Sequence, residues 1–416
     1  KMNSLKKFAK ISFLISVSLL LSSAVFAKKT IEFIQWWEPE LPKGSFRAIM
    51  DDFEKANPDI EVKLISGPYP NIKDQIIVGA ATGTLSDVVG LDGAWVNDLA
   101  KQGAITDMNP LMSQGTLDTK EIAAIIKLDG GSYMFPVASF IYPIFVNLDM
   151  MNEAGLRGMP KTRGEFFEAA KKLTDKSKNQ YGWVLPLSLE TPWGVQNDVM
   201  SWVWASGGNM MKDGKPDLQN KDVVEVLKFV NEMHKAGVIS PGTLSKKEQD
   251  KVEEFVNERV GMMVGTLAHI NLIKKRNPKL NFSITEMPVT KGFKDKSGIM
   301  YAAWGIGVSE HSENKKEAWK LVEYLMSAEV NSRLVSIANA FPGNVKGQPD
   351  FVKTDRQFEK AFTMFKNGYL KNEFTGLPVA GELMRILDEE IQLMLEGEQS
   401  PEETARKAQT RWIAEF

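Results

Sequence analysis

Hydrophobic residues in the first third of the chain follow two alternating patterns, one typical of strands and one typical of helices. Short apolar runs bounded by turn residues predict strands, and apolar residues spaced three or four apart predict helices. The predicted strands are 30–37, 60–66 and 86–91, and the predicted helices are 45–56 and 71–82. Strands that alternate with helices are typical of βαβ units. The pattern therefore predicts an α/β fold with mostly parallel sheets.

The rest of the chain continues with both patterns. Predicted strands are 132–136, 140–147, 183–189, 260–264, 282–289 and 298–309. Predicted helices are 165–174, 195–206, 222–236, 314–327 and 378–395. A last helix follows Ser400, because Pro401 and Glu403 complete a capping box with that serine.

A tryptophan-rich stretch over 182–208 is the first candidate for a functional site. Its apolar run 183–189 ends in a turn that contains Glu190 and Trp193, and the predicted helix 195–206 follows. In α/β folds, ligands bind at the carboxyl ends of strands. Trp193 is the strongest candidate because it lies in a proline-containing turn. The alternative for the other tryptophans is a core position. They are Trp183, Trp202 and Trp204.

Polar and aromatic side chains also follow the first three predicted strands. They are Trp36, Trp37 and Glu38 after the first, Tyr69 after the second, and Asp92 and Trp95 after the third. The carboxyl ends of parallel strands gather along one edge of a sheet, so we expect these side chains to lie together. Structural alternatives remain open, since Glu38 and Asp92 are also suited to cap helices.

The N-terminus has the pattern of a secretory signal peptide. Basic residues over 6–10 precede the apolar run 11–21, and small residues lead to Ala27. We expect cleavage after Ala27, with an uncleaved anchor as the alternative. The chain has no cysteine, which excludes a lipid-modified N-terminus and disulfides. The prediction is a periplasmic protein that is not a lipoprotein.

Charge and composition exclude several classes of partner and cofactor. The net charge of −2 argues against nucleic acid or an anionic membrane surface as a partner. The three histidines are widely spaced and no cysteine accompanies them, so we expect no metal and no cofactor.

Several stretches resemble the extracellular solute-binding proteins of bacterial ABC sugar importers, the family that includes maltose-binding protein. They are 33–37, 53–62, 86–103, 145–156, 261–263, 314–319 and 397–403. The resemblance implies two α/β lobes with a ligand in the cleft between them, and a hinge that closes over it. It also implies a monomer that delivers its ligand to membrane permease subunits.

The resemblance implies lobe boundaries as well. The N-terminal lobe would comprise 28–138 and 291–342, and the C-terminal lobe 139–290 and 343–416. The chain would cross between the lobes near 136–140, 286–292 and 340–346.

Sugars have apolar C–H faces that indoles cover and hydroxyls that carboxylates and amides bind. The ligand-binding residues implied by the resemblance, together with the strand-end candidates, are Trp36, Trp37, Glu38, Asp92, Trp95, Tyr142, Glu190, Trp193, His269 and Trp304. One departure concerns His269, since relatives often have a tryptophan in this segment. Either His269 substitutes for it or that wall of the site is missing.

The favoured function is a transport receptor that binds a sugar or oligosaccharide and has no catalytic residues. A second hypothesis keeps the fold but places a quaternary ammonium among the tryptophans, Glu38, Asp92 and Glu190. A third is a glycoside-acting enzyme, in which paired carboxylates in the cleft serve as acid and base.

Overall fold

The computed structural model describes residues 28–416, so the predicted signal peptide and its cleavage site lie outside the described residues. The strands are β1 Lys29–Gln35, β2 Ile60–Ser66, β3 Val88–Leu91, β4 Ile126–Leu128, β5 Gly131–Ile141, β6 Ile144–Asn147, β7 Tyr181–Trp183, β8 Met211–Lys212, β9 Lys215–Pro216, β10 Val260–Val264, β11 Phe282–Thr285, β12 Gly298–Val308, β13 Phe341–Pro342 and β14 Tyr369–Lys371.

The helices connect and cover these strands. They are α1 Ser45–Ala56, α2 Tyr69–Thr82, α3 Val96–Lys101, α4 Asn109–Met112, α5 Leu148–Glu153, α6 Arg163–Leu173, α7 Ser201–Ala205, α8 Lys221–Lys235, α9 Glu248–Val256, α10 Ala268–Arg276, α11 Lys315–Met326, α12 Ala328–Ala338, α13 Arg356–Asn367, α14 Ala380–Leu395 and α15 Pro401–Ala414. A π-helix, Val195–Met200, precedes α7. Within residues 28–416, no helix combines the length and apolar character needed to cross a membrane.

Two sheets organise the molecule, and we name the two lobes after them. The N-terminal lobe contains a sheet with the order β13-β5-β12-β3-β1-β2, with β4 beside β5 and β14 beside β12. The C-terminal lobe contains a sheet with the order β11-β6-β10-β7. Each lobe has its own apolar core, so each can bury hydrophobic surface separately.

The sheets are mixed, and the prediction that they are mostly parallel is wrong. β1 lies parallel to β2 and β3, as the βαβ pattern predicts. However, β12 pairs antiparallel with β3 and β5, and β6 pairs antiparallel with β10 and β11. β5 leads directly into β6 of the other sheet, so its direction follows from the path between lobes and not from a helical crossover.

The amphipathic pattern of α1 shows how the sequence determines the packing. Phe46, Ile49, Met50 and Phe53 are all buried, at the helical spacing that predicted the element. Full burial of each such side chain contributes about 1.5–3 kcal/mol. The other predicted elements are present with shifted ends, except for two segments.

The first exception is the predicted strand 183–189, which ends at Trp183. Pro186 has no N–H group to donate to a ladder, and the chain beyond Trp183 bonds to a 3₁₀ turn and to α14 and not to another strand. The Leu187 N–H donates to the Thr243 carbonyl at 2.9 Å, and the Gln392 side chain donates to the Leu187 carbonyl at 2.6 Å. The second exception is the predicted helix 195–206, which begins as a π-helix.

Three neighbouring strands, β13, β5 and β12, lie where the two lobes meet. Ser139 of β5 pairs with Ala303 of β12 on one side and with Phe341 of β13 on the other. These strands are candidates for the hinge. The residue-level lobe boundaries given above stay a prediction.

A carboxyl group is buried in the middle of α14. Asp388 is fully buried in the C-terminal lobe. Burial raises the pKa of Asp388 to about 8, and the Gln392 amide one turn along the helix offsets only part of this rise. Asp388 therefore retains its proton at neutral pH in the folded protein, whereas the unfolded chain releases it near pH 4.

We expect the free energy of unfolding to fall less in the Asp388→Asn variant than in the wild type when the pH is raised from 5 to 8. The folded wild type binds a proton that the unfolded chain has lost, so its free energy of unfolding falls as pH rises through this window, by a few kcal/mol at most (~1.4 per pH unit). Urea unfolding at both pH values measures the change, with the exposed Asp74→Asn as control. Equal pH dependence in wild type and Asp388→Asn would contradict the prediction.

Candidate functional site

Aromatic side chains from three strand ends form one cluster in the N-terminal lobe. The ring of Trp36 lies 5.2 Å from Tyr69 and 5.5 Å from Trp95, and Tyr69 lies 5.2 Å from Trp95. Two of these contacts are edge-to-face, the geometry that aromatic pairs prefer. The structure thus brings the ends of β1, β2 and β3 together, as expected.

Asp92 lies beside this cluster in a fixed orientation. One carboxylate oxygen accepts a hydrogen bond from the Ala94 N–H at 2.8 Å, and the other accepts one from the Tyr69 hydroxyl at 3.0 Å. Burial raises the pKa of the Asp92 carboxyl, and the two hydrogen bonds act in the opposite direction. Asp92 is not the N-cap of α3, because Trp95 occupies that position.

A second aromatic pair adjoins the cluster, because the ring of Trp37 lies 6.2 Å from that of Trp36. Trp37 and Trp304 stack with ring centroids 5.6 Å apart and planes 8° apart, and both are buried. Phe140 of β5 packs edge-to-face on Trp304 at 5.3 Å. Trp37 and Trp304 are therefore core residues beside the cluster, and neither lines the two cavities described below.

Glu38 is directed towards the end of β2. Its carboxylate accepts a hydrogen bond from the Ser66 hydroxyl, and its N–H donates to the Gln35 side chain at 2.8 Å. Gln35 in turn donates to Ser66 at 2.7 Å. Glu38 is partly exposed at the rim, with its carboxylate already engaged within the lobe.

Trp193 of the C-terminal lobe stands in a tight turn. The Thr191 N–H donates to the Ser188 carbonyl at 3.1 Å, and the Trp193 N–H donates to the Thr191 carbonyl at 2.8 Å. A Cβ atom at Gly194 would overlap the Pro186 carbonyl oxygen, so only glycine allows the turn to pack this closely. The turn leads into the π-helix, a feature that is frequent at functional sites.

Trp95 and Trp193 line one cavity from opposite lobes. Its volume is about 310 Å³, and Ile76, Asp98 and Glu382 are among the other lining residues. A smaller cavity of about 30 Å³ has both polar and apolar residues in its lining, and Asp92 and Gln196 are among the polar ones. The two cavities share Ala94, so they adjoin the same loop.

Glu190 does not accompany Trp193. Its side chain is 73% exposed and forms an ion pair with Lys247 of the same lobe. Because the carboxylate is engaged at the surface, the structure separates the two candidates that the sequence placed in one turn.

Tyr142 lies between the lobes, close to three carboxylates. Burial raises the pKa of its hydroxyl, and Glu248, Asp198 and Asp92 raise it further. Asp198 of the π-helix and Lys251 of α9 form a fully buried ion pair, with nitrogen–oxygen distances of 3.1 and 3.2 Å. Lys251 also lies 2.9 Å from the Glu248 carboxylate.

His269 is buried in the C-terminal lobe. Its Nδ1 accepts a hydrogen bond from the Thr266 N–H at 3.2 Å, and its ring packs edge-on against Phe145. Burial lowers the pKa of His269 to about 4, so the ring is neutral at pH 7. These contacts give His269 a structural role in this conformation.

The sequence analysis did not identify several residues of the cleft. Asp98, Gln196 and the segment that follows β14 have no motif that marks them. Asp98 lies within α3, one helical turn after Trp95, which is the only local signal for it. Gln196 and the segment after β14 lie at the cleft because parts of the chain that are distant in sequence pack together there.

Comparisons with known proteins agree with this architecture. The family model for the bacterial extracellular solute-binding protein matches residues 39–332. The galactooligosaccharide-binding protein of Bacillus subtilis is 22% identical over 399 residues, which cover 93% of this chain and 90% of that protein.

Solved structures show the same fold. A solute-binding protein of an ABC transporter from Thermotoga lettingae, bound with α-D-tagatose, has a TM-score of 0.75 at 23% identity. The alignment covers 93% of this chain and 99% of that protein. The cyclic α-maltosyl-1,6-maltose binding protein from Arthrobacter globiformis has a TM-score of 0.80 at 16% identity, with coverage of 93% and 98%. These structures confirm the predicted two-lobed α/β fold.

The family match extends over most of the described chain and includes the ends of β2 and β3, which carry Tyr69 and Trp95 of the aromatic cluster, and the Trp193 turn. It confirms the resemblance found in the sequence. The chain belongs to the bacterial extracellular solute-binding protein family.

Proposed function

We propose that this protein is the substrate-binding component of an ABC transporter and that it binds a sugar or oligosaccharide between its lobes. The observation that carries the proposal is the cavity that Trp95 and Trp193 line from opposite lobes. A ligand in this cavity contacts both lobes at once. Such contacts stabilise the closed arrangement of the lobes relative to an open one.

The chemistry of the cleft suits a sugar. The indoles of Trp95 and Trp193 offer apolar surface for the C–H face of a sugar ring. Asp92 and Gln196 line the adjoining cavity and offer hydrogen-bond acceptors for hydroxyls. The relatives named above bind galactooligosaccharide, tagatose and a cyclic maltosyl-maltose, which supports the same class of ligand for this chain.

The cavity favours a short ligand. Its volume of about 310 Å³ is near the lower end of the typical range for small-molecule pockets, roughly 300–1,000 Å³. Residues 379–382 of the C-terminal lobe close one side of it.

A quaternary ammonium is less well supported by the aromatic cluster. Trp36, Tyr69 and Trp95 pack against each other at 5.2–5.5 Å, which leaves no room for a cation between the three rings. The Trp95–Trp193 cavity is the remaining place for such a ligand, with Asp98 and Glu382 in its wall.

The catalytic alternative is also less well supported. Glycoside hydrolysis needs two carboxylates that face the same bond. Glu190 is paired with Lys247 at the surface and does not accompany Asp92. In the Trp95–Trp193 cavity, Asp98 accepts a hydrogen bond from the Val379 N–H, and Glu382 forms an ion pair with Arg385. The family consists of solute-binding proteins, and we propose that this protein likewise has no catalytic role.

The family is extracellular, and the finer localisation is part of the proposal. We propose a periplasmic monomer, released by cleavage after Ala27, that docks on permease subunits.

We expect a sugar to raise the melting temperature of the protein in a thermal-shift screen. A ligand that binds only the folded state stabilises it by about 2.7 kcal/mol at a concentration of 100 Kd. The panel contains mono-, di- and oligosaccharides, polyols and quaternary ammonium compounds. A rise with one sugar class supports the proposal. A rise with ammonium compounds alone, or none with any sugar, contradicts it.

We expect the Trp193→Ala variant to bind the identified sugar roughly thirtyfold more weakly, a loss of about 2 kcal/mol. Removing an aromatic anchor from the centre of a site typically costs this much. Calorimetry measures the affinity, and Leu189→Ala in the same turn is the control, because Leu189 is exposed and does not line the cavity. Unchanged affinity in Trp193→Ala would assign this tryptophan a structural role.

A further inference from the structure

The segment that joins β14 to α14 is firmly anchored in the C-terminal lobe at its start. The Glu373 carboxylate accepts hydrogen bonds from the Trp204 indole at 2.8 Å and from the Met210 N–H at 2.6 Å. Phe374 is buried between Trp204 and Trp412, at 6.2 and 5.8 Å. We call residues 373–379 the latch segment.

The second half of the latch segment is bonded to the N-terminal lobe. The Gly376 N–H donates to the Gly93 carbonyl at 2.9 Å, and the Asn97 side chain donates to the Gly376 carbonyl at 3.0 Å. The Val379 N–H points at the Asp98 carboxylate, with distances of 3.1 and 3.2 Å to its two oxygens. Direct hydrogen bonds therefore join the two lobes.

Asp98 occupies a favourable position for this contact. Val379 is the residue before α14, a helix of sixteen residues. The N-terminal end of a helix carries partial positive charge and unpaired N–H groups, so a carboxylate placed there is stabilised. Here the carboxylate comes from the other lobe and accepts from the N–H of Val379, the N-cap residue, whose own side chain makes no capping hydrogen bond.

The backbone conformation of Val379 also indicates that the contact with Asp98 holds this residue in place. Its φ of 41° lies in the left-handed region, which is strained for a β-branched residue. Strained conformations persist where the surroundings impose them. The bond from Val379 to Asp98 is a contact that holds this residue in place.

The lobes also pack closely at this point. A Cβ atom at Gly93 would lie 2.6 Å from the Thr375 side chain, so the glycine permits the approach of the latch segment. The contact thus combines close packing with hydrogen bonds.

We propose that the latch segment holds the two lobes together in the absence of a ligand, with Asp98 as its central acceptor. This inference does not depend on the identity of the ligand. It means that the protein populates a closed arrangement when empty, and that a ligand adds to contacts that already exist. Since Asp98 and Val379 also line the Trp95–Trp193 cavity, the latch completes the wall that the ligand meets.

The test measures the distance between the lobes without a ligand. The chain has no cysteine, so two introduced cysteines can be spin-labelled selectively. Gln75→Cys on α2 and Glu396→Cys after α14 are exposed and lie in different lobes. Pulsed electron paramagnetic resonance then gives the distance distribution in this background and in Asp98→Asn, Asp98→Ala and Asp118→Asn.

We expect one distance to dominate in the background and a second, open population to grow about tenfold relative to the closed one in Asp98→Ala. Asp98→Asn retains a neutral acceptor, so we expect an intermediate effect. Asp118→Asn is the matched control, because Asp118 accepts a backbone hydrogen bond within its own lobe. It should leave the distribution unchanged.

Two results would overturn the proposal. The first is that Asp98→Ala gives the same distance distribution as the spin-labelled protein with Asp98 intact. The second is that the open population already dominates in that protein with Asp98 intact. Hydrogen exchange provides an independent measurement on the protein without substitutions. The Gly376 and Val379 amides are protected in the ligand-free state if the latch is formed, and rapid exchange at both contradicts it.

Discussion

The stacked pair of Trp37 and Trp304 is the contact on which the cleft depends. It joins the segment after β1 to β12, a strand that lies where the two lobes meet. The pair is buried, so its rings belong to the core of the lobe and do not form a binding surface. The cluster of Trp36, Tyr69 and Trp95 contacts this pair through Trp36 and Trp37, and Asp92 is oriented by its hydrogen bonds from Tyr69 and Ala94. A change in the stack would therefore displace the strand ends that form one wall of the cleft.

Local patterns in the sequence predicted a large part of the N-terminal lobe. The spacing of Phe46 and Phe53 predicted α1, and strand ends predicted the cluster around Asp92. These features depend on neighbours within a few residues or within one βαβ unit, so periodicity contains the relevant information. The mixed direction of the sheets was not predicted, since it depends on β5 and β12 passing between lobes. That path is set by contacts across the whole chain.

The candidate site was predicted less completely for the same reason. The sequence identified Trp95 and Trp193, which line the same cavity. It also placed Glu190 beside Trp193, but long-range pairing with Lys247 holds that carboxylate at the surface. Asp98 and Val379 could not be recognised together, because they are separated by 281 positions and no motif marks either one. Contacts of this kind become visible only when the two lobes are placed in space.

The buried group of Asp198, Lys251 and Glu248 restricts how this protein can evolve. One ammonium lies between two carboxylates, and Lys251 has no exposure to solvent. Replacing Lys251 alone would leave carboxylates without a buried partner, at a cost of roughly 3–5 kcal/mol, whereas an apolar replacement of the whole group is often neutral or stabilising. Variants that have lost only one of the three residues are therefore less stable than the original protein or a protein with all three replaced. Descendants of this sequence should keep the three residues together or lose them together.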